Sequence, residues 1–198
     1  MLRVLGIDPG LTRCGVGIVD VAPDRTATLV HVSVIRTEPT DPVELRLLAV
    51  ARGIATALDA YQPNALAVER VFAQHNLRTV MGTAQASGIA LALGAEHGLA
   101  VGLHTPSEVK AAITGYGAAD KAQVGAMVAR VLGLDSVPKP ADAADALALA
   151  ICHAWRTSGR GADGGAPQQP GMTSARSVGL TPAQRAWADA ERKTVRAR

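Results

Sequence analysis

The sequence predicts an α/β domain in which helices flank both faces of a mixed five-stranded sheet. Three strand-like segments joined by short connections come first, an arrangement typical of an antiparallel meander. Two further strands then alternate with helical segments, which is how parallel strands are added to a sheet. The 198 residues, 48% of them hydrophobic, suffice for one such domain with a substantial core.

The first three strands are apolar runs separated by turn residues. "RVLGID" is a buried strand that ends in an acid, and the turn "PGLTR" leads into "CGVGIVD". The third strand, "ATLVHVSVIR", is rich in Val and Ile, which favour extended backbone.

Helical periodicity begins after the third strand. "PVELRLLAVARGIATALDAY" predicts a helix with Asp41 as its N-cap. The strand "NALAVE" precedes a second helix, "LRTVMGTAQASGIALALGAEHG", with Gly98 as its stop. "LAVGLHT" is the fifth strand. The remaining helical segments are "SEVKAAITG", "KAQVGAMVARVLGL" and "ADAADALALAICHAW".

Composition changes near Ser158 to a Gly/Pro/Ser-rich stretch without apolar periodicity. We therefore expect a compact domain over 1–157 and a flexible linker with a basic C-terminal tail over 158–198. Residues 157–198 hold seven Lys and Arg against three Asp and Glu, whereas the rest holds thirteen against fourteen. The net charge of +3 thus belongs to the tail and does not predict nucleic-acid binding by the domain.

The sequence contains no run of about 18 uncharged apolar residues, so we expect no membrane span. Because an acid stands at position 8, we expect no secretory signal peptide at the N-terminus. Cys14 and Cys152 lie far apart without a partner motif, and we interpret both as small core residues. These features favour a cytoplasmic protein.

Four carboxylates could meet at one edge of the predicted sheet. Asp8 ends the first strand and Glu69 the fourth, while Asp142 and Asp145 share one face of the last helix. Two carboxylates ~4 Å apart repel by roughly 4 kcal/mol at an effective dielectric near 20, so such a cluster needs cations or protons. All-oxygen ligands favour Mg²⁺ or Mn²⁺, and two such ions suit phosphodiester hydrolysis.

Each acid also has a simpler interpretation. Asp8 is a turn residue in "DPG", and Glu69 is a solvated acid at the end of a strand. Asp142 complements the dipole at a helix N-terminus. Asp145 lies between "AA" and "ALALAI", where a buried acid needs a partner.

The chain resembles the RuvC Holliday-junction resolvases over residues 3–155. The motifs that carry the resemblance are "GIDPG", "GVGIVD", "AVERVF", "GTAQASGIAL", "VKAAITGYGAADKAQV" and "ADAADALALAI". The resemblance implies an RNase H-like fold and a homodimer that makes paired symmetric nicks in four-way DNA junctions during recombination and repair. It also implies two Mg²⁺ per active site, with Mn²⁺ as a substitute, and work with the RuvA–RuvB branch-migration complex. The catalytic and metal-binding acids carried over are Asp8, Glu69, Asp142 and Asp145; some family members have His at the position of Asp142.

Two segments offer residues for DNA. Phe72, the only Phe in the chain, follows Glu69, and in the family this loop contacts DNA; the alternative is that Phe72 plugs the core. Polar neighbours suit phosphate and base contacts, namely Arg70, Gln74, His75, Asn76 and Arg78.

Lys110 and Lys121 flank a Gly-Tyr-Gly turn and could clamp phosphates, although solvated lysines are the common case. Thr12 and Arg13 follow "DPG" and could contact the DNA backbone near Asp8. We interpret His104 as an ordinary structural histidine. A smooth helix face suits close packing within the monomer or, as the resemblance favours, at the dimer interface; it comprises Gly82, Ala86 and Ala90.

Three other functions compete. An actin-like ATPase would use "GIDPGLT" for phosphate, but the chain is too short for the two lobes such proteins need. A YqgF-type RNA-processing nuclease shares the fold and metal chemistry, yet lacks "VERVF" and "DAADALALAI" in this form. A catalytically silent junction-binding module would not need all four acids.

Overall fold

This computed structural model describes residues 1–71 and 77–158, with side chains from residue 80 onward in the segment after the gap. The order of strands and helices agrees with the sequence prediction. The elements are β1 (Leu2–Asp8), β2 (Arg13–Val21), β3 (Ala27–Arg36), α1 (Val43–Tyr61), β4 (Ala65–Glu69), α2 (Leu77–Glu96), β5 (Ala100–His104), α3 (Pro106–Thr114), α4 (Lys121–Val131) and α5 (Ala141–Ser158).

The strands form one sheet in the order β3-β2-β1-β4-β5. β1 pairs antiparallel with β2 and parallel with β4, and β4 pairs parallel with β5. Ile7 lies beside Val68 in the parallel pair, so the next residue of each strand, an acid in both cases, emerges at the same sheet edge.

Helices cover both faces of the sheet, as the sequence predicts. α1 and α2 pack on one face around Leu5 and Ile7 of β1. On the other face α5 packs against the sheet, and α3 and α4 pack against α5. Alternate residues of β1 therefore serve two separate cores, which is why its interior reads as a continuous apolar run.

Glycines in β1 and β2 let α5 lie directly on the sheet. A Cβ at Gly15 would overlap the carbonyl oxygen of Asp142, and one at Gly6 would overlap that of Ala146. No side chain separates the helix from the strands at these points. The N-terminus of α5 is thereby held at the sheet edge where β1 ends.

Two helix starts have good caps, but the predicted cap of α1 is wrong. Thr105 and Asp120 each form a capping box at the N-termini of α3 and α4. α1 begins at Val43 after Pro42, and no side chain caps it, so Asp41 does not serve as its N-cap.

The small-residue face of α2 packs inside the monomer. Ala86 and Ala90 are fully buried with the core residues of α1 and β4, and a Cβ at Gly82 would contact Leu11. The expectation that this face forms a dimer interface is therefore wrong, because the space is already filled.

Cys14 and Cys152 are both buried and free, as core residues should be. Among the described helices, none has the length and apolar character needed to cross a lipid bilayer.

Candidate active site

Adjacent parallel strands carry the first two acids to one edge of the sheet. Asp8 is the last residue of β1 and pairs with Gly15 of β2. Glu69 is the last residue of β4 and lies opposite His104 of β5. Both carboxylates leave the sheet where the chain enters loops, the common position for a site in an α/β fold.

α5 brings the other two acids over the same edge. Asp142 stands in its first turn and Asp145 one turn later. A Cβ at Gly15 would lie 3.2 Å from the Cβ of Asp8 and 2.8 Å from the carbonyl carbon of Asp142. This glycine is thus the point at which β1, β2 and α5 meet.

Asp8 and Glu69 are buried within range of the charges of other carboxylates. Burial, and then the charges of Glu69, Asp145 and Asp142, raise the pKa of Asp8 to about 7, while Lys121 opposes the rise. Burial and the Asp145 carboxylate likewise raise the pKa of Glu69. Residues far apart in the sequence therefore form one electrostatic cluster that favours bound cations or protons.

Two cationic side chains pair with the acids of α5. The Nε of Arg13 lies 3.0 Å from an Oδ atom of Asp142, and the Nζ of Lys121 lies 3.2 Å from one of Asp145. The charge of Asp145 raises the pKa of Lys121, which stays protonated. The arginine and the lysine are largely exposed, whereas their carboxylate partners are mostly shielded.

The donor set fits divalent magnesium or manganese in chemistry and charge. Four carboxylates supply hard oxygen ligands, and burial together with the neighbouring negative charges raises the pKa of Asp8. In residues 1–71 and 77–158, however, no three His, Cys, Asp or Glu side chains are arranged as a metal-ion site as they stand. Asp142 and Asp145 are instead turned toward Arg13 and Lys121.

A residue that the sequence analysis did not single out holds the turn after Asp8. Arg46 of α1 donates to the hydroxyls of Thr37 at 2.9 Å and Thr12 at 2.8 Å. The Thr37 hydroxyl donates in turn to the carbonyl of Leu11. No local motif indicates this brace, because Arg46 and Thr12 are 34 positions apart.

The other residues predicted to contact DNA differ in exposure and in their position relative to the four acids. Thr12 is exposed and accepts from Arg46, and Arg70 is exposed immediately after Glu69. Lys110 is half-buried on α3, and the cations recorded at the four acids are Arg13 and Lys121. Phe72, Gln74, His75 and Asn76 lie outside the described residues, as does the side chain of Arg78.

His104 has a structural setting, in line with its interpretation from the sequence. Its Nε2 lies 3.0 Å from the Nδ1 of His153, and burial lowers the pKa of His104 to about 4. Its carbonyl accepts from the backbone N–H of Arg70, which fixes the chain just beyond Glu69.

Residues 4–153 match the family model described as crossover junction endodeoxyribonuclease RuvC. The chain is 66% identical over 202 residues to the crossover junction endodeoxyribonuclease RuvC of Leifsonia xyli subsp. xyli, an alignment that covers 98% of this chain and 94% of that protein.

Solved structures show the same fold. The chain is similar to RuvC of T. thermophilus in complex with a Holliday junction substrate, with a TM-score of 0.76 and 35% identity over 80% of this chain and 96% of that one. It also resembles the yeast mitochondrial Holliday junction resolvase Ydc2, with a TM-score of 0.57 and 15% identity over 79% of this chain and 80% of that one, which bears on fold alone. The expected RNase H-like fold is confirmed.

Proposed function

Because the chain belongs to the RuvC family of crossover junction endodeoxyribonucleases, it is a metal-dependent nuclease that resolves Holliday junctions, and we propose that Asp8, Glu69, Asp142 and Asp145 form its catalytic centre. One observation carries the assignment of these residues: at Gly15 the strand end that carries Asp8 meets the start of α5, and burial together with the charges of Glu69, Asp145 and Asp142 raises the pKa of Asp8. Side chains separated by up to 137 positions would not influence one another in this way unless the fold gathered them.

The proposed cofactor is two Mg²⁺ ions per active site, with Mn²⁺ as a substitute, held by these four carboxylates. Two such ions supply an activated water and stabilise the leaving oxygen of the phosphodiester. Asp8 and Glu69 belong to the sheet, whereas Asp142 and Asp145 belong to α5. The proposed site therefore lies between two layers of the fold. Catalysis requires the four carboxylates to be positioned accurately. Hydrogen bonds between strands and the close packing of α5 on the sheet provide that positioning.

Replacing Asp8 tests this centre directly. Asp8→Asn keeps the shape but removes the central carboxylate, so we expect cleavage of a synthetic four-way junction with Mg²⁺ to be abolished. Binding of the same junction, measured by fluorescence anisotropy, should change little, since the charge change at one site is small against the whole DNA contact. Asp135→Asn, at an exposed acid, is the matched control. Full nicking by Asp8→Asn would contradict the assignment.

The proposed DNA contacts surround this centre. Arg13 and Lys121 pair with two of its acids, Thr12 precedes Arg13, and Arg70 follows Glu69; positive side chains there suit phosphates that flank the cut. Lys110 is the proposed clamp on α3. Phe72 is proposed to stack on an unpaired base at the crossover, aided by Asn76 and Arg78.

The proposed homodimer uses the outer face of α2 and the edge strand β5. Met81, Val101 and Leu103 are large apolar residues with 58, 40 and 40% exposure. Gly88 is exposed in the middle of α2, and a Cβ there would have nothing within 4 Å. A glycine costs an exposed helix about 1 kcal/mol relative to alanine, so close approach by a second copy is a reason to have one here.

The proposed setting is the bacterial cytoplasm, where junction DNA is found, in cooperation with the RuvA–RuvB branch-migration complex. The division into a nuclease domain over 1–157 and a basic tail over 158–198 is likewise proposed; it rests on the composition change near Ser158. Junction cutting by the purified chain alone, compared with cutting in the presence of RuvA and RuvB, would test the partnership.

A further inference from the structure

We propose that Arg13 is a tethered counter-cation of the metal site, which holds Asp142 until a divalent ion takes that carboxylate. The inference rests on the proposed metal centre and gives one residue of this chain a defined role in loading it. On release, the guanidinium becomes free to bind a phosphate of the DNA strand.

The position of Arg13 supports this role. It is the first residue of β2, and its backbone pairs with Arg36 of β3. The neighbouring turn is held by the hydrogen bond from the Thr37 N–H to the Thr12 carbonyl. Because the backbone is fixed on both sides, only the long side chain is free to move.

The contact competes directly with a metal ion. The guanidinium lies 3.0 Å from one oxygen of Asp142, and that side chain is 20% exposed. A Mg²⁺ ligand must approach to about 2.0–2.1 Å, and a divalent ion repels a neighbouring guanidinium. Arg13 and the ion therefore compete for this oxygen, and an ion on the other oxygen of Asp142 would still repel the guanidinium.

The strength of the contact allows exchange. The Arg13 side chain is 57% exposed, so water and salt screen its attraction to Asp142. Such a pair is strong enough to neutralise Asp142 before loading and weak enough for a divalent ion to displace. The freed guanidinium then remains beside the N-terminus of α5, and its planar fork is well suited to phosphate.

Metal binding without DNA tests the first step. Mn²⁺ is titrated by electron paramagnetic resonance into the full chain as wild type, Arg13→Gln, Arg13→Lys and Arg36→Gln. Arg36 is exposed beside Arg13 in the sheet, so its variant removes the same charge without touching Asp142. We expect Arg13→Gln to bind Mn²⁺ about two- to fivefold more tightly, the worth of one exposed ion pair. Arg36→Gln and Arg13→Lys should stay closer to wild type.

Junction binding tests the second step. Junction affinity is measured at several salt concentrations, with Ca²⁺ as a probe ion and with EDTA. In the wild type, the slope of log affinity against log salt should be steeper with Ca²⁺, by the amount that corresponds to about one additional phosphate contact. Arg13→Gln should lose this increment, because metal and DNA binding are coupled through the released side chain.

The outcomes separate the inference from the proposed function. If the wild type binds no Mn²⁺, the metal centre itself is wrong. If the wild type binds Mn²⁺ but Arg13→Gln matches Arg36→Gln or binds more weakly, the counter-cation role is overturned while the centre stands. Arg13→Thr, which suits a strand, repeats the comparison if Arg13→Gln does not fold.

Discussion

Asp8 is held in a setting that disfavours its own charge. Its ordinary pKa of 3.8 is raised to about 7 by burial and by the carboxylates around it. The folded protein therefore binds this proton more tightly than the unfolded chain does. Stability from this group is present below pH 4 and is lost as the pH rises toward 7.

Removing the charge should stabilise the metal-free protein. In EDTA we expect Asp8→Asn to unfold several degrees above the wild type at pH 8, and the difference to vanish near pH 4, where both side chains are neutral. Thermal unfolding followed by circular dichroism across this pH range measures it. Mg²⁺ should narrow the gap by relieving the repulsion in the wild type. A gap that is the same at every pH would rule out the electrostatic cause.

Arg46 is expected to matter for cutting although it does not reach the acids. Arg46→Gln removes two hydrogen bonds to the turn that follows Asp8. We expect about a tenfold loss in the rate of junction cutting at saturating DNA, and a loss of roughly 1 kcal/mol in unfolding free energy. Arg52→Gln, at an exposed position on the same helix, is the matched control. Equal effects from both variants would show that the brace has no special role.

The positions of the four acids in the fold could be predicted from the sequence because two of them end strands and two lie in the first two turns of one helix. Their partners could not. The pairs of Arg13 with Asp142 and of Lys121 with Asp145 join residues 129 and 24 positions apart, and no periodic pattern encodes such pairs. The motifs around Arg13 and Lys121 predict that these cations contact DNA, which stays a prediction, and give no sign of their pairs with Asp142 and Asp145.

At the scale of elements, the packing of α5 on the sheet determines the positions of Asp142 and Asp145. Every strand and helix of the described residues could be predicted, since each is a periodic or apolar run bounded by turn residues. The direct contact of α5 with β1 and β2 could not, because Gly6 and Gly15 look like ordinary strand glycines in the sequence.

Gly15→Ala should displace α5 from its seat. The added methyl would meet the backbone carbonyl of Asp142, which cannot rotate away, so we expect unfolding free energy to fall by about 1–3 kcal/mol. Cleavage should fall further than stability predicts, because Asp142 and Asp145 move with the helix. Urea unfolding and junction cutting measure the two effects.

Gly125→Ala in α4 provides the comparison for that variant. A Cβ at Gly125 would meet only a methyl of the Val137 side chain, which can turn away. We expect little change in stability or cutting. If Gly15→Ala also left stability and cutting unchanged, the close packing of α5 on the sheet would not be needed for the site.

At the scale of the whole molecule, two proposed active sites must act on one junction, so the surface between copies matters. Gly88→Arg places a long charged side chain on the outer face of α2, where the monomer has open space. We expect the monomer to stay folded, the dimer to dissociate in sedimentation velocity, and paired nicks to give way to slow single nicks.

Ala60→Arg, on the exposed surface of α1, controls for added charge and should leave the dimer intact. A Gly88→Arg protein that sediments as a dimer would place the interface elsewhere. The sequence suggested the buried face of α2 for this contact, because a stripe of small residues has the same pattern whether it meets its own core or a second chain.

The last core helix also has a consequence for synthesis. Asp142 and Asp145 are on α5, the last element of the described residues, so a chain that has emerged from the ribosome only as far as α4 carries Asp8 and Glu69 alone. Domains assemble as units during translation, and here the cutting centre is incomplete until the end of the domain has docked. A half-made polypeptide therefore lacks two of the four acids of the proposed centre, which is complete only once α5 has docked.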